Sequence, residues 1–203
     1  ERVWPTRDFF EAKVTEQTLL DTATTTGELG FGSTTTTSSK VTGTITNLPS
    51  VGGTVIRGQA LYEVDNVPIA LMYGSLPAYR ALSEGVEGAD VEQLEANLAA
   101  LGYTGFTVDD EFTATTAAAV KRWQKHRGLA QTGVVDLGSV VFAPGKVRVD
   151  SLAVDAGAAT APGQEVLTFT GTSRAVTVEL DTDEQRLGQK GHKVTVVLPD
   201  GKG

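Results

Sequence analysis

Hydrophobic positions recur in two different rhythms along this chain. From Val14 to Ile45 the residues are mainly Thr, Val, Gly and Ser, with no helical period. Threonine is β-branched and suits a pleated surface, so this stretch, including Thr34–Thr37, is predicted as strands and turns ahead of a flexible linker. From Glu84 to Val135 the rhythm changes. Val91, Leu94, Leu98 and Leu101 fall at helical spacing, with Asp90 placed to cap the start and Gly102 to stop the end. A second helix is predicted from a Thr113 cap, with Ala117, Val120 and Trp123 or Gln124 on one face and Gly128 as its end. Tyr103, Phe106, Phe112 and Leu129 complete a small core. Past Gly138 the β rhythm returns in Val140–Phe142, Val147–Val154, Val166–Phe169, Val176–Leu180 and Val194–Leu198. The helical unit therefore interrupts a β framework.

The two sides of that interruption repeat one another. Gly52, the pair Gly58 and Gln59, then Leu61 and Val64 have the same spacing as Gly157, the pair Gly163 and Gln164, then Val166 and Phe169. Each copy reads as a strand, a glycine-bearing turn and a returning strand. Such a unit leaves its apolar face open and needs its twin to cover it. Residues 41–66 are thus expected to fold directly against residues 137–172.

Val51–Tyr62 (VGGTVIRGQALY) and Val141–Leu167, with Phe142–Gly145 (FAPG), resemble the split halves of the biotinyl-lipoyl-like domain of HlyD-type membrane fusion proteins, or periplasmic adaptor subunits. In that family a helical hairpin usually separates the halves, whereas a compact module stands here. The tail Ala175–Leu198, with Asp181–Glu184 and Gly191, resembles the start of the β-barrel domain that follows. No lysine has the setting of a lipoylated one, so no swinging-arm cofactor is expected.

The inserted stretch is more specific. Its two pieces, GADVEQLEANLAALGY over 88–103 and FTATTAAAVKRWQKHRGLAQTG over 112–133, closely resemble the peptidoglycan-binding-like domain of wall hydrolases and envelope proteins. Glu111 replaces the usual glycine before Phe112, and the third helix is curtailed because strand resumes soon after Asp136. Most of the signature residues read as core. Lys121, Arg122, Lys125 and Arg127 are the densest basic cluster in an acidic module, and peptidoglycan stem peptides carry carboxylates, so these four are the candidate contacts. Tyr103 is a candidate for stacking on a sugar.

Charge and composition narrow the function classes further. A formal net charge of −8 argues against nucleic acid as a partner. No apolar run reaches the ~18 residues that cross a bilayer, the longest being short stretches such as Val67–Tyr73. The chain opens at Glu1 without methionine or a signal-like apolar segment, so a leader or anchor upstream is expected. There is no cysteine and only His126 and His192, which gives no ligand spacing for zinc. Asp109–Glu111 lacks the spacing and glycine of a calcium loop, and Asp181 and Asp183 suit a turn. Gly27, Gly30 and Gly32 precede Ser and Thr instead of a phosphate-binding helix. No nucleophile elbow or glycosidase carboxylate pair stands out. No catalytic residue, metal site or cofactor is therefore expected.

Together these readings give a mixed, mainly β fold with an α insertion: a split biotinyl-lipoyl-like β sandwich interrupted by a helical peptidoglycan-binding-like domain, plus part of a β-barrel domain. The expected organisation is an N-terminal segment with barrel-associated strands over 1–40, a first half over 41–66 and a connector over 67–83. The helical domain follows over 84–136, then the second half over 137–172 and the partial barrel over 173–203. The resemblance implies a non-catalytic extracytoplasmic adaptor subunit of an export system, anchored to the cytoplasmic membrane by a segment outside this chain. Its partners would be an inner-membrane transporter of the ABC permease type, peptidoglycan, and further copies of itself within an assembly. The rival expectation is a wall-binding structural protein or the targeting arm of a wall hydrolase.

Overall fold

The computed structural model describes residues 24–182, 188–191 and 193–197. Residues 14–23, Asp183, Glu184, His192 and Leu198, on which sequence expectations fall, lie outside the described residues. The chain divides into a compact unit of Leu29–Thr177 and a second made of Glu1–Glu28 with Val178–Gly203. Within the second, the described residues 193–197 form no strand, contrary to the alternation of valines there, and Val194 and Val197 are exposed. Alternation alone does not make a strand; a ladder partner is also needed.

The strands before the helices are β1 (Gly27–Gly30), β2 (Thr35–Ser38), β3 (Gly43–Asn47), β4 (Thr54–Val55), β5 (Ala60–Val64) and β6 (Val67–Tyr73). Helices α1 (Ala89–Ala100) and α2 (Ala114–His126) follow. Then come β7 (Val140–Ala143), β8 (Val147–Leu152), β9 (Ala159–Thr160), β10 (Glu165–Thr170) and β11 (Ala175–Val178). One sheet runs β2-β10-β8-β4 and another β7-β6-β5-β3-β9, while β1 and β11 make a two-stranded sheet. Within the threonine-rich stretch Thr35–Ser38 is strand, as β2, where Thr37 is buried and Thr35 and Thr36 are exposed.

The two repeat copies interlock. β4 belongs to the first copy but pairs with β8 of the second, and β9 of the second pairs with β3 of the first. Gly52 N–H donates to Val149 O at 2.8 Å, and Gly157 N–H donates to Ile45 O at 2.7 Å. At the second glycine of each copy, Gly58 N–H reaches Leu71 O and Gly163 N–H reaches Ser39 O. All four glycines have φ between 79° and 92°, where a Cβ would be strained, which is why both copies hold glycine there. Ile45, Leu61, Tyr62 and Val64 from one copy share a buried core with Val147, Val149, Val166, Leu167 and Phe169 from the other. Residues 41–66 and 137–172 therefore close on each other as their spacing implies.

Of the segment 67–83 expected as a connector, Val67–Tyr73 is instead a strand, β6, paired with β5 and, in parallel, with β7. Ile69 and Leu71 enter the sandwich core, while Ala70 and Met72 face the other way into the core of the helical module. β7 alternates likewise, Val141 and Ala143 on one side and Val140 and Phe142 on the other. A strand covered on both faces reads as a continuous apolar run without alternation. The Asp65–Asn66 turn before it takes φ of 50° and 62°, as a tight two-residue hairpin requires.

Candidate functional site

The module is built on two helices that start differently. α2 begins at Thr113, whose Oγ1 accepts from Thr116 N–H while Thr116 Oγ1 accepts from Thr113 N–H, a reciprocal cap. α1 is capped by Gly88, without a side-chain bond, in place of the expected Asp90. Asp90 lies in the first turn, where its carboxylate offsets the helix dipole. Its two oxygens accept from Arg80 Nε at 2.7 Å and Nη2 at 2.8 Å, and Arg80 also donates to Glu87 O at 2.6 Å. That pairing holds the Asp90 carboxyl below the ordinary aspartate range. Gly102, at φ 89°, stops α1 as its sequence implies.

Glu95, fully buried on α1, joins the helices to the loop between them. It accepts from Thr116 Oγ1 on α2 at 2.5 Å and from Asp109 N–H at 2.9 Å. Burial pushes its carboxyl above the ordinary glutamate range. Asp109 in turn accepts from Glu111 N–H, so this acidic loop is tied into the fold by its backbone amides. Val91, Leu94, Leu98, Phe112, Ala119, Val120 and Trp123 fill the interior, so these apolar signature residues are core.

Of the five candidate contact residues, the structure brings three cations together. Lys121, Arg122 and Lys125 are exposed, and at 100° per residue they share the solvent face of α2 opposite buried Ala119, Val120 and Trp123. Lys121 runs its aliphatic stem along Gly133, where an added Cβ would meet Cε at 2.9 Å. Arg122 donates to Thr104 O. Arg127 is set apart: half-buried past the end of the helix, it donates to Gly58 O of the sandwich. Tyr103 is half-buried, its hydroxyl 3.1 Å from Nδ1 of His126 and the two rings tilted at 34° with centroids 5.6 Å apart. His126, not among the sequence candidates, is four residues beyond Arg122 on the same helix, and that spacing is the signal that marks it.

The module is seated on the sandwich by side-chain amides. Asn97 Oδ1 accepts from Tyr73 N–H at 2.7 Å, and its Nδ2 donates to Tyr73 O at 2.6 Å. One turn earlier, Gln93 Oε1 accepts from Leu76 N–H at 3.0 Å and Nε2 donates to Leu76 O at 2.8 Å. Gln93 crosses so close to Gly74 that any Cβ there would collide with its amide. Leu101 likewise packs over Gly58.

Two short capped helices around one apolar core, joined by a loop stapled through a buried glutamate, define a small α-helical module within a β chain. Residues 87–138 match the family described as "Putative peptidoglycan binding domain", so the chain contains a domain of that type. No curated protein matches the chain. Among the described residues no helix is long and apolar enough to cross a membrane.

Proposed function

We propose that this chain is a non-catalytic protein of the cell envelope, outside the cytoplasm, whose helical module holds peptidoglycan through the solvent face of α2. The observation that carries this reading is the family match over residues 87–138. Three exposed cations, Lys121, Arg122 and Lys125, stand on that face in a chain of net charge −8. Stem-peptide carboxylates are their natural counter-ions. Each exposed pair contributes only about 0–1 kcal/mol and is weakened by salt, so useful affinity comes from many contacts along a repeating polymer. Purified sacculi test this directly. The protein is expected to pellet with them, less so in high salt, and several-fold less when Lys121, Arg122 and Lys125 are changed together to alanine. Unchanged pelleting of that triple variant rejects the basic face, and no pelleting of the parent protein rejects wall contact.

A second reading, favoured by the interlocked repeat around the module, adds a role as adaptor subunit of an export system. A split, self-covering sandwich is what the membrane fusion resemblance implies, and its work would be positional: to hold a transporter in register with the wall. An ABC-type permease, a membrane anchor outside this chain and copies of the chain itself are the partners this reading supplies. Crosslinked capture from intact cells is expected to recover the permease. Recovery of wall enzymes alone would favour the targeting arm of a hydrolase.

A further inference from the structure

An open cleft of about 470 Å³ lies between the C-terminal end of α2 and the β5–β6 hairpin. Both parts of the molecule build it: Gln59, Ala60, Glu63 and Pro68 come from the sandwich, His126 and Arg127 from the module. Its size falls in the range of small-ligand sites. Three of the six lining side chains are held by bonds within the protein. Arg127 is fixed by its bond to Gly58 O, and Gln59 Oε1 accepts from Ile56 N–H at 3.0 Å. His126 is oriented by the Tyr103 hydroxyl at Nδ1, which leaves Nε2 for another partner.

The charged groups around this cleft do not pair with one another. Glu63 is half-buried and, among the described residues, forms no ion pair with His126 or Arg127, the one salt bridge being Arg80 to Asp90. A guanidinium that spends one N–H on Gly58 O keeps others to offer. An acid and two bases bordering one hollow, with no ion pair among them, are complementary to a ligand that carries both signs. Ala60 and Pro68 add a small apolar surface between them.

We propose that this composite cleft binds the C-terminal end of a peptide whose last residue is a diamino acid, its free carboxylate against Arg127 and His126 and its side-chain ammonium against Glu63. For the source of that peptide the proposal rests on the wall-contact reading: a stem peptide trimmed to its diamino acid ends in a residue with a free carboxylate and a free side-chain ammonium. The lysine face of α2 then supplies general attraction to the polymer, and the cleft recognises the end of a stem. The module without the hairpin has half a site.

The test uses the whole chain and a soluble muropeptide whose terminal diamino acid has free amino and carboxyl groups, with its N-acetylated form as a control, titrated by calorimetry. Glu63→Gln is expected to weaken the free-amino muropeptide about tenfold, the loss of one charge-assisted contact, and to leave the acetylated form unchanged. His126→Gln is expected to weaken both forms. Lys121→Ala with Lys125→Ala is expected to reduce pelleting with sacculi. Thermal melting confirms that each variant is folded. If the parent pellets with sacculi but Glu63→Gln and His126→Gln bind the muropeptide as it does, the cleft is overturned and wall contact stands. If the parent neither pellets nor binds the muropeptide, both are overturned.

Discussion

Asp90 and Glu95 are both buried carboxylates on α1, yet their surroundings drive them in opposite directions. Asp90 is 4 % exposed and paired with Arg80, so it stays ionised; its stabilisation is present above the ordinary aspartate value of 3.8 and is lost as pH falls through its lower folded value. Glu95 is 0 % exposed and has two neutral donors but no cation, so burial dominates and its folded value lies above the ordinary 4.5. For an acid shifted upward the unfolded chain holds the charge more readily. Stability from Glu95 is therefore present below 4.5 and is lost as pH rises through the folded value. Glu95→Gln removes that ionisation while leaving a side chain of the same shape. The difference in melting temperature, variant minus parent, is expected to be more favourable to the variant at pH 7 than at pH 4. A difference that does not change between those two values would show that Glu95 is not the group responsible.

At the scale of elements, the positions of α1 and α2 are legible in the sequence because their apolar periodicity and stop glycines act locally. The Thr113 cap is legible for the same reason, whereas the start of α1 is misread because Asp90 serves Arg80, a partner ten residues away. β6 is hidden by success at burial: covered on both faces, it loses the alternation that marks a strand. The seating of α1 is hidden too. Gln93 and Asn97, one helical turn apart, both bond backbone groups, which leave no trace in sequence. The basic face of α2 is legible, and the separation of Arg127 from it is not, since that depends on where Gly58 lies. Asn97→Ala tests the seating. It leaves Tyr73 N–H and C=O without their partner in a half-buried strand end, at an expected cost of ~2–3 kcal/mol. Urea titration should show a lower midpoint with an unchanged slope. A midpoint equal to that of the parent would make the amide contacts incidental.

For the unit Leu29–Thr177 as a whole, one consequence of the shared strands is mechanical. Ala70, Met72, Val140 and Phe142 form one wall of the helical core, and all four lie outside the matched residues 87–138. Fully burying Met72 alone is worth about 2 kcal/mol, and small domains have little stability to spare. A fragment of residues 84–138 exposes that core face and loses the Asn97, Gln93 and Arg80 contacts with it. It is therefore expected to melt well below the whole chain, with a broad transition. In the whole chain, amides of α1 and α2 should exchange with solvent at the same opening free energy as those of β8 and β10, because the two cores open together. A fragment that melts sharply at the parental temperature would mean that the module is a passenger on the sandwich. If instead the cores open as one, the wall contact proposed for α2 would be held at a fixed angle to the interlocked sheets. A positional role requires that rigidity, because a contact on a swivelling module would transmit no register to whatever the sandwich holds.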